Sequence, residues 1–335
     1  MGNPQPAYRT PLVEIEYLNL GNSTRAFAKC EFRGPTGSHK DRMYAYMINA
    51  LERRGEIHPR QRLIDFSSGN AGAALSFVGA VKGYPVTIVR PSGLSLVKAT
   101  QIRSLGAELI LTPASEGVEG ARHAATELAC KLGKKAFLVH QTASSLNIEA
   151  FEECGREIVG EMGKLRLGIH CFVCGIGTGG TLSGIAKIIK EAFPDALVVG
   201  GEVTGADLNL ARLEHREITF SPHHLEGLSP GLIFANTHLD FVDELTAVTE
   251  REAWEATLEL ERNGFLVGPS SGHNICIAKR VAGRLPDHSN LVTVFFDAAW
   301  KYYPERESWL RSLPVEEKAF SLHYHREQPF ERAPA

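Results

Sequence analysis

Four short stretches of this 335-residue chain carry residue types that could do chemistry. The first is Gly34-Pro35-Thr36-Gly37-Ser38-His39-Lys40-Asp41-Arg42, in which Lys40 closes a loop of small residues where a helical pattern begins. Small residues let a bound group approach the backbone. A lysine held there among apolar neighbours can lose its proton and become a nucleophilic amine that condenses with carbonyls. The other three are Ser67-Ser68-Gly69-Asn70-Ala71-Gly72, Gly175-Ile176-Gly177-Thr178-Gly179-Gly180-Thr181 and Gly268-Pro269-Ser270-Ser271-Gly272. Each stands between an apolar run and a helical pattern. A solvated lysine in a first helical turn would account for Lys40 alone, but four such loops together argue for one composite site.

In the third stretch, Gly177, Gly179 and Gly180 allow backbone N–H groups to turn inward, and the helix that follows adds its positive end. A phosphate dianion fits there without lysine or arginine, and Thr178 and Thr181 can add hydroxyl donors. The same residues spell Gly175-x-Gly177-x-x-Gly180, followed by a strand candidate over 197–201 and Glu202 as a possible ribose ligand. An NAD-dependent oxidoreductase is therefore an alternative, although it leaves Lys40 and the 67–72 loop without a role. Ser270 precedes a helical pattern and could be a simple N-cap.

The elements that must position these loops alternate between strand and helix, which argues for an α/β fold with largely parallel sheets. Helices are expected over 42–54, 71–82, 96–105, 120–132, 182–192 and 274–284. Strands are expected over 62–66, 86–89, 108–111, 171–174, 197–201 and 291–296. From Asn147 onward, Ile148, Phe151, Ile158, Val159 and Met162 share one helical face and open a second α/β series. From about Pro314 the chain is charged and proline-punctuated.

With 43% hydrophobic content and a net charge of -3, the chain can bury a large core. Its basic residues are scattered, no apolar run is long enough to span a bilayer, and the N-terminus lacks a signal-peptide pattern. These features point away from nucleic-acid and membrane partners and toward a cytoplasmic location. Six irregularly spaced cysteines suggest reduced, buried thiols, with no metal site expected. Cys171 and Cys174 lie three apart in a strand-like run, on opposite faces.

Taken with their order and spacing, the four loops resemble those of the fold-type II pyridoxal phosphate enzymes, over nearly the whole chain. That group includes cysteine synthase, cystathionine β-synthase, serine and threonine dehydratases and threonine synthase. The resemblance implies two open, twisted parallel-sheet domains of the tryptophan synthase β type, with pyridoxal 5'-phosphate in the cleft between them. It implies a small domain over 41–145, a large one from 8–40 plus 146–313, a tail over 314–335, and a homodimer. Lys40 would carry the cofactor as an internal aldimine, and Asn70 would meet the ring hydroxyl. Gly177, Thr178, Gly179, Gly180 and Thr181 would hold the phosphate, and Ser270 would face the pyridine nitrogen. Ser67, Ser68, Gly69 and Gln141 would hold the substrate carboxylate, although Gln141 could equally be a surface residue.

A hydroxyl at the ring nitrogen restrains transamination and suits loss of a β-substituent through an aminoacrylate. The resemblance thus implies β-replacement or β-elimination on a serine-derived amino acid or cysteine, with a small-molecule nucleophile. Three departures from cysteine synthases bear on the substrate: Ala71 in place of threonine, Thr142-Ala143-Ser144-Ser145 after Gln141, and Asp297-Ala298-Ala299-Trp300-Lys301-Tyr302 near the end. A serine or threonine dehydratase, a threonine synthase-like lyase and a non-catalytic binder of pyridoxal phosphate are the remaining alternatives.

Overall fold

The computed structural model describes residues 9–18, 20–67, 69–93, 95–217 and 220–313. Strands β1 (Leu12–Glu14) and β2 (Arg25–Cys30) come first. They are followed by α1 (Lys40–Arg53), β3 (Arg62–Phe66), α2 (Asn70–Lys82), β4 (Val86–Pro91), α3 (Leu96–Ser104), β5 (Glu108–Thr112), α4 (Gly117–Leu132) and β6 (Ala136–Leu138). The second half runs α5 (Leu146–Lys164), β7 (Cys171–Gly175), α6 (Gly180–Ala192), β8 (Leu197–Val203) and α7 (Leu208–Leu213). It ends with β9 (Glu244–Val248), α8 (Glu250–Arg262), α9 (Pro269–Ala282), β10 (Asn290–Phe295) and α10 (Tyr303–Ser312).

The strands form two sheets. One has the order β5-β4-β3-β6 and is parallel throughout; the other has the order β1-β2-β10-β7-β8-β9. In the second sheet only β1 runs antiparallel, against β2, whose six residues pair in parallel with β10 from Arg25–Asn290 to Cys30–Phe295. The first segment of the chain thus completes the sheet that its last strand enters. Helices flank the strands, so β4, β7 and β10 are buried along their whole length and are mostly apolar. One continuous core joins the sheets, with Met43, Met47 and Ile48 of α1 in the same cluster as Ala74 of α2, Phe151 of α5 and Val292 of β10.

The alternation expected from the sequence is present, and the boundaries differ where a cap or a buried charge intervenes. Helix α9 starts at Pro269, five residues before the expected 274, because proline at the first helical position already has the required φ. Strand β2 escaped the sequence reading because it contains Lys29, which is fully buried. Its ammonium is satisfied by the Thr10 carbonyl at 2.6 Å, by Glu157 at 2.9 Å and by Glu161 at 3.1 Å. Cys171 and Cys174 do point to opposite sides of β7, Cys171 against Val199 and Leu291 and Cys174 against Ile176 and Leu182. No helix among the described residues is long and apolar enough to cross a membrane.

Candidate active site

Lys40 is the first residue of α1, and its neighbours fix it from both sides. In the preceding turn, the Asp41 carboxylate accepts hydrogen bonds from Thr36 N at 2.9 Å, Thr36 Oγ1 at 2.5 Å and Ser38 N at 3.4 Å. The turn is also laced to the end of β10, where His39 N donates to the Phe296 carbonyl at 2.8 Å and Ala298 N to the Gly37 carbonyl at 3.1 Å. Two residues further on, Arg42 is buried and pairs with Glu31 at 2.8 Å and Glu157 at 2.8 Å. Among the described residues Lys40 Nζ has only the Met43 sulfur, at 3.8 Å, as a hydrogen-bond partner and makes no ion pair. Burial lowers its pKa to about 8, against the opposing charge of Asp65.

Lys40 opens onto a cleft of about 260 Å³ between the two sheets. Ser67, Asn70 and Gln141 line it together with Gly177, Thr178, Gly179, Thr181 and Ser270. Gly69 and Gly180 adjoin these residues, and a Cβ added to either would meet the Lys98 or the Asn147 side chain. Ser68 lies outside the described residues.

The loop from 175 to 181 links β7 to α6, and Gly177, Thr178, Gly179 and Thr181 bring it and the amino end of α6 to the cleft. A Cβ on Gly177 would run into the Gly227 carbonyl oxygen. Gly179 has φ +85° and lies against the Thr237 backbone. Asn147 Nδ2 braces the loop, donating to Thr178 Oγ1 at 3.3 Å and to the Gln141 carbonyl at 2.9 Å. Asn236 Nδ2 donates to that same carbonyl at 2.9 Å. Gln141 is 5% exposed, so it is no surface residue, and its Oε1 is buried without a partner.

Ser67 Oγ accepts hydrogen bonds from Gly69 N at 3.0 Å and Gly72 N at 2.9 Å, shaping the turn into α2 and leaving its own proton free to donate. Asn70 Nδ2 donates to Asp297 Oδ2 at 2.5 Å and to the Tyr302 hydroxyl at 3.4 Å. Because the carboxylate fixes which end of the amide faces it, Asn70 Oδ1 is left unpaired as an acceptor. Ser270 is not the N-cap of α9, a position held by Gly268; it lies in the first turn with Oγ 3.5 Å from Asp297 Oδ1. Asp297 also accepts from Tyr302, and burial raises its carboxyl against the pull of Lys98 and that hydrogen bond.

In the sequence, Asp297 stands out only as a departure from the cysteine synthase pattern. A charged residue directly after an apolar strand was the available signal, since ligands gather at the carboxyl ends of parallel strands. Asn147 and Asn236 gave no local signal, because their partners lie up to 95 residues away. Glu202, the possible ribose ligand, is committed elsewhere, accepting from Asn209 N, Asn209 Nδ2 and Leu210 N at the start of α7.

These features fit pyridoxal phosphate: an unpaired, partly neutral amine for its aldehyde, a glycine loop at a helix end for its phosphate, and unpaired Asn70 and Gln141 oxygens beside them. Residues 4–297 match the family described as pyridoxal-phosphate dependent enzyme. Cysteine synthase A of Escherichia coli is 34% identical over 276 residues, covering 81% of this chain and 84% of that protein. A hydrogen sulfide-producing enzyme of Fusobacterium nucleatum superimposes with a TM-score of 0.81 at 35% identity, covering 88% of this chain and 86% of that one. An O-acetylserine dependent cystathionine β-synthase of Helicobacter pylori does so with a TM-score of 0.80 at 31% identity, covering 89% and 95%. The chain belongs to the fold-type II pyridoxal phosphate-dependent enzymes of the cysteine synthase and cystathionine β-synthase family, and its reaction is β-replacement or β-elimination on an amino acid.

Proposed function

We propose that Lys40 is the residue that holds the cofactor and moves the proton, and that the substrate is a serine derivative or cysteine. The observation that carries this reading is the buried, unpaired Lys40 Nζ at the floor of the cleft. Pyridoxal phosphate, when bound, supplies an electron sink for the charge left when Cα loses its proton. Lys40 Nζ would take that proton as general base. The 177–181 loop binds the phosphate and Asn70 Oδ1 accepts from the ring hydroxyl. Ser67, Ser68, Gly69 and Gln141 hold the carboxylate. Ser270 faces the ring nitrogen as a neutral group, which favours departure of a β-substituent over transamination.

Ala71, the 142–145 segment and the 297–302 segment together favour a reactant pair other than O-acetylserine and sulfide. The separate four-stranded sheet β5-β4-β3-β6 supports a small domain over 41–145, family resemblance supports a homodimer, and the sequence pattern supports a cytoplasmic location. The test of the Lys40 assignment is borohydride reduction of the yellow holoenzyme followed by peptide mapping. The label is expected on Lys40; a label on another lysine overturns the assignment.

A further inference from the structure

The amino end of α3 gathers two buried cations, Lys98 and Arg90. Lys98, in its first turn, is 1% exposed and lines the cleft. Its ammonium lies 4.0 Å from the Tyr302 ring centroid and 2.5 Å from Glu226 Oε2. Arg90, near the end of β4, is equally buried. Its Nη1 donates to the Ser95 carbonyl at 3.3 Å, while Nη2 has no partner. Ser95 stands at the cap position of α3 but makes no cap bond, and its hydroxyl is buried and unpaired too.

A helix end with no capping side chain, an unpaired buried guanidinium and a buried ammonium together make an anion site. Glu226 attracts both Lys98 and Arg90, and Lys98 also feels the buried Asp297 carboxyl. Glu226 comes from across the cleft, follows α7 in the chain, and is 16% exposed. The asymmetry matters, because the glutamate can rotate into water while the two cations cannot leave the interior.

We propose that Lys98, Arg90 and the amino end of α3 form a subsite for an anionic group, a carboxylate or phosphate, carried by the reactant beyond the β-carbon. Glu226 takes the place of that anion in this structure and yields to it. The subsite rests on the β-replacement reading and deepens it, assigning an acidic leaving group or an acidic nucleophile. Lys98 then determines specificity without touching the reacting atoms.

Two matched pairs distinguish the sources on the holoenzyme. Mercaptoacetate and 2-mercaptoethanol differ in a carboxylate on the nucleophile, and O-phosphoserine and O-acetylserine, each with sulfide, differ in an anion on the leaving group. The comparison is how each ratio of kcat/KM, anionic over neutral, changes between the natural enzyme and a variant, so intrinsic reactivity cancels. Lys98→Met is expected to lower the ratio about tenfold or more in at least one pair. Glu226→Gln, which removes the competing anion, is expected to raise the same ratio, and it serves alone if Lys98→Met does not fold. Ratios within about twofold of the natural enzyme in both pairs overturn the subsite alone. A yellow natural enzyme that turns over none of the pairs overturns the β-replacement reading and the subsite with it.

Discussion

Asn70 Nδ2 lies 2.5 Å from Asp297 Oδ2, and this contact joins the first residue of α2, beside one sheet, to the segment just after β10 of the other. Ser270 and Tyr302 meet the same carboxylate, so one buried acid sets the orientation of the amide and of the serine that face the cleft. Asp297→Asn keeps the shape and removes the charge. We expect it to weaken cofactor binding about 10- to 150-fold, in line with roughly 1.5–3 kcal/mol for a hydrogen bond to a charged group. Titration of visible absorbance against cofactor concentration measures this, and an unchanged dissociation constant would refute the orienting role.

The Lys40 amine, with its pKa lowered to about 8 by burial, should be half neutral near that pH instead of near 10.5. Capture of pyridoxal phosphate by the apoprotein is therefore expected to accelerate as pH rises through about 8 and then level off. Stopped-flow absorbance gives the midpoint, and a midpoint at the ordinary lysine value would contradict the burial argument. The unfolded chain binds the Lys40 proton more tightly between about 8 and 10.5, so the contribution of Lys40 to stability rises with pH across that window.

Gly179 has φ +85° and sits against the Thr237 backbone, so Gly179→Ala strains the loop and pushes it off its support. Strain of about 1–3 kcal/mol corresponds to a cofactor affinity lower by about 5- to 150-fold. Binding of pyridoxal, which lacks the phosphate, should change far less. Equal losses for both compounds would mean that the loop does not hold the phosphate.

The Arg42 cluster holds α1 in place. Burial by itself would raise the Glu31 carboxyl, but Arg42 and the Thr10 hydroxyl bring it below its ordinary 4.5. The pair contributes its stability above that pH and loses it as pH falls through the lower folded value. Arg42→Met leaves Glu31 buried and uncompensated, which is expected to cost about 3–5 kcal/mol near pH 7. Urea unfolding at pH 7 and below 4.5 tests this: the gap between natural and variant proteins should narrow in acid, and a gap that stays constant would exclude the pair as its source.

Local sequence determined much of the site. Lys40, Asn70, the 177–181 loop and Ser270 were legible because glycine, serine and lysine at strand-to-helix junctions have few other reasons to recur in that order. Strands β3, β4, β7 and β8 and the body of each helix between them were legible from apolar runs and their period. Strand β2 was not, since Lys29 interrupts its pattern and its charge is balanced by carboxylates from α5, more than a hundred residues away. The role of Asp297, the bracing of Gln141 by Asn147 and Asn236, and the meeting of Lys98 with Glu226 were equally hidden. Asp297 meets Asn70 across 227 residues, Lys98 meets Glu226 across 128, and Asn236 reaches the Gln141 carbonyl across 95. Sequence fixes which groups are present and which short loops they shape, whereas the distances and desolvation that set their charge and orientation exist only once the two sheets close on one another.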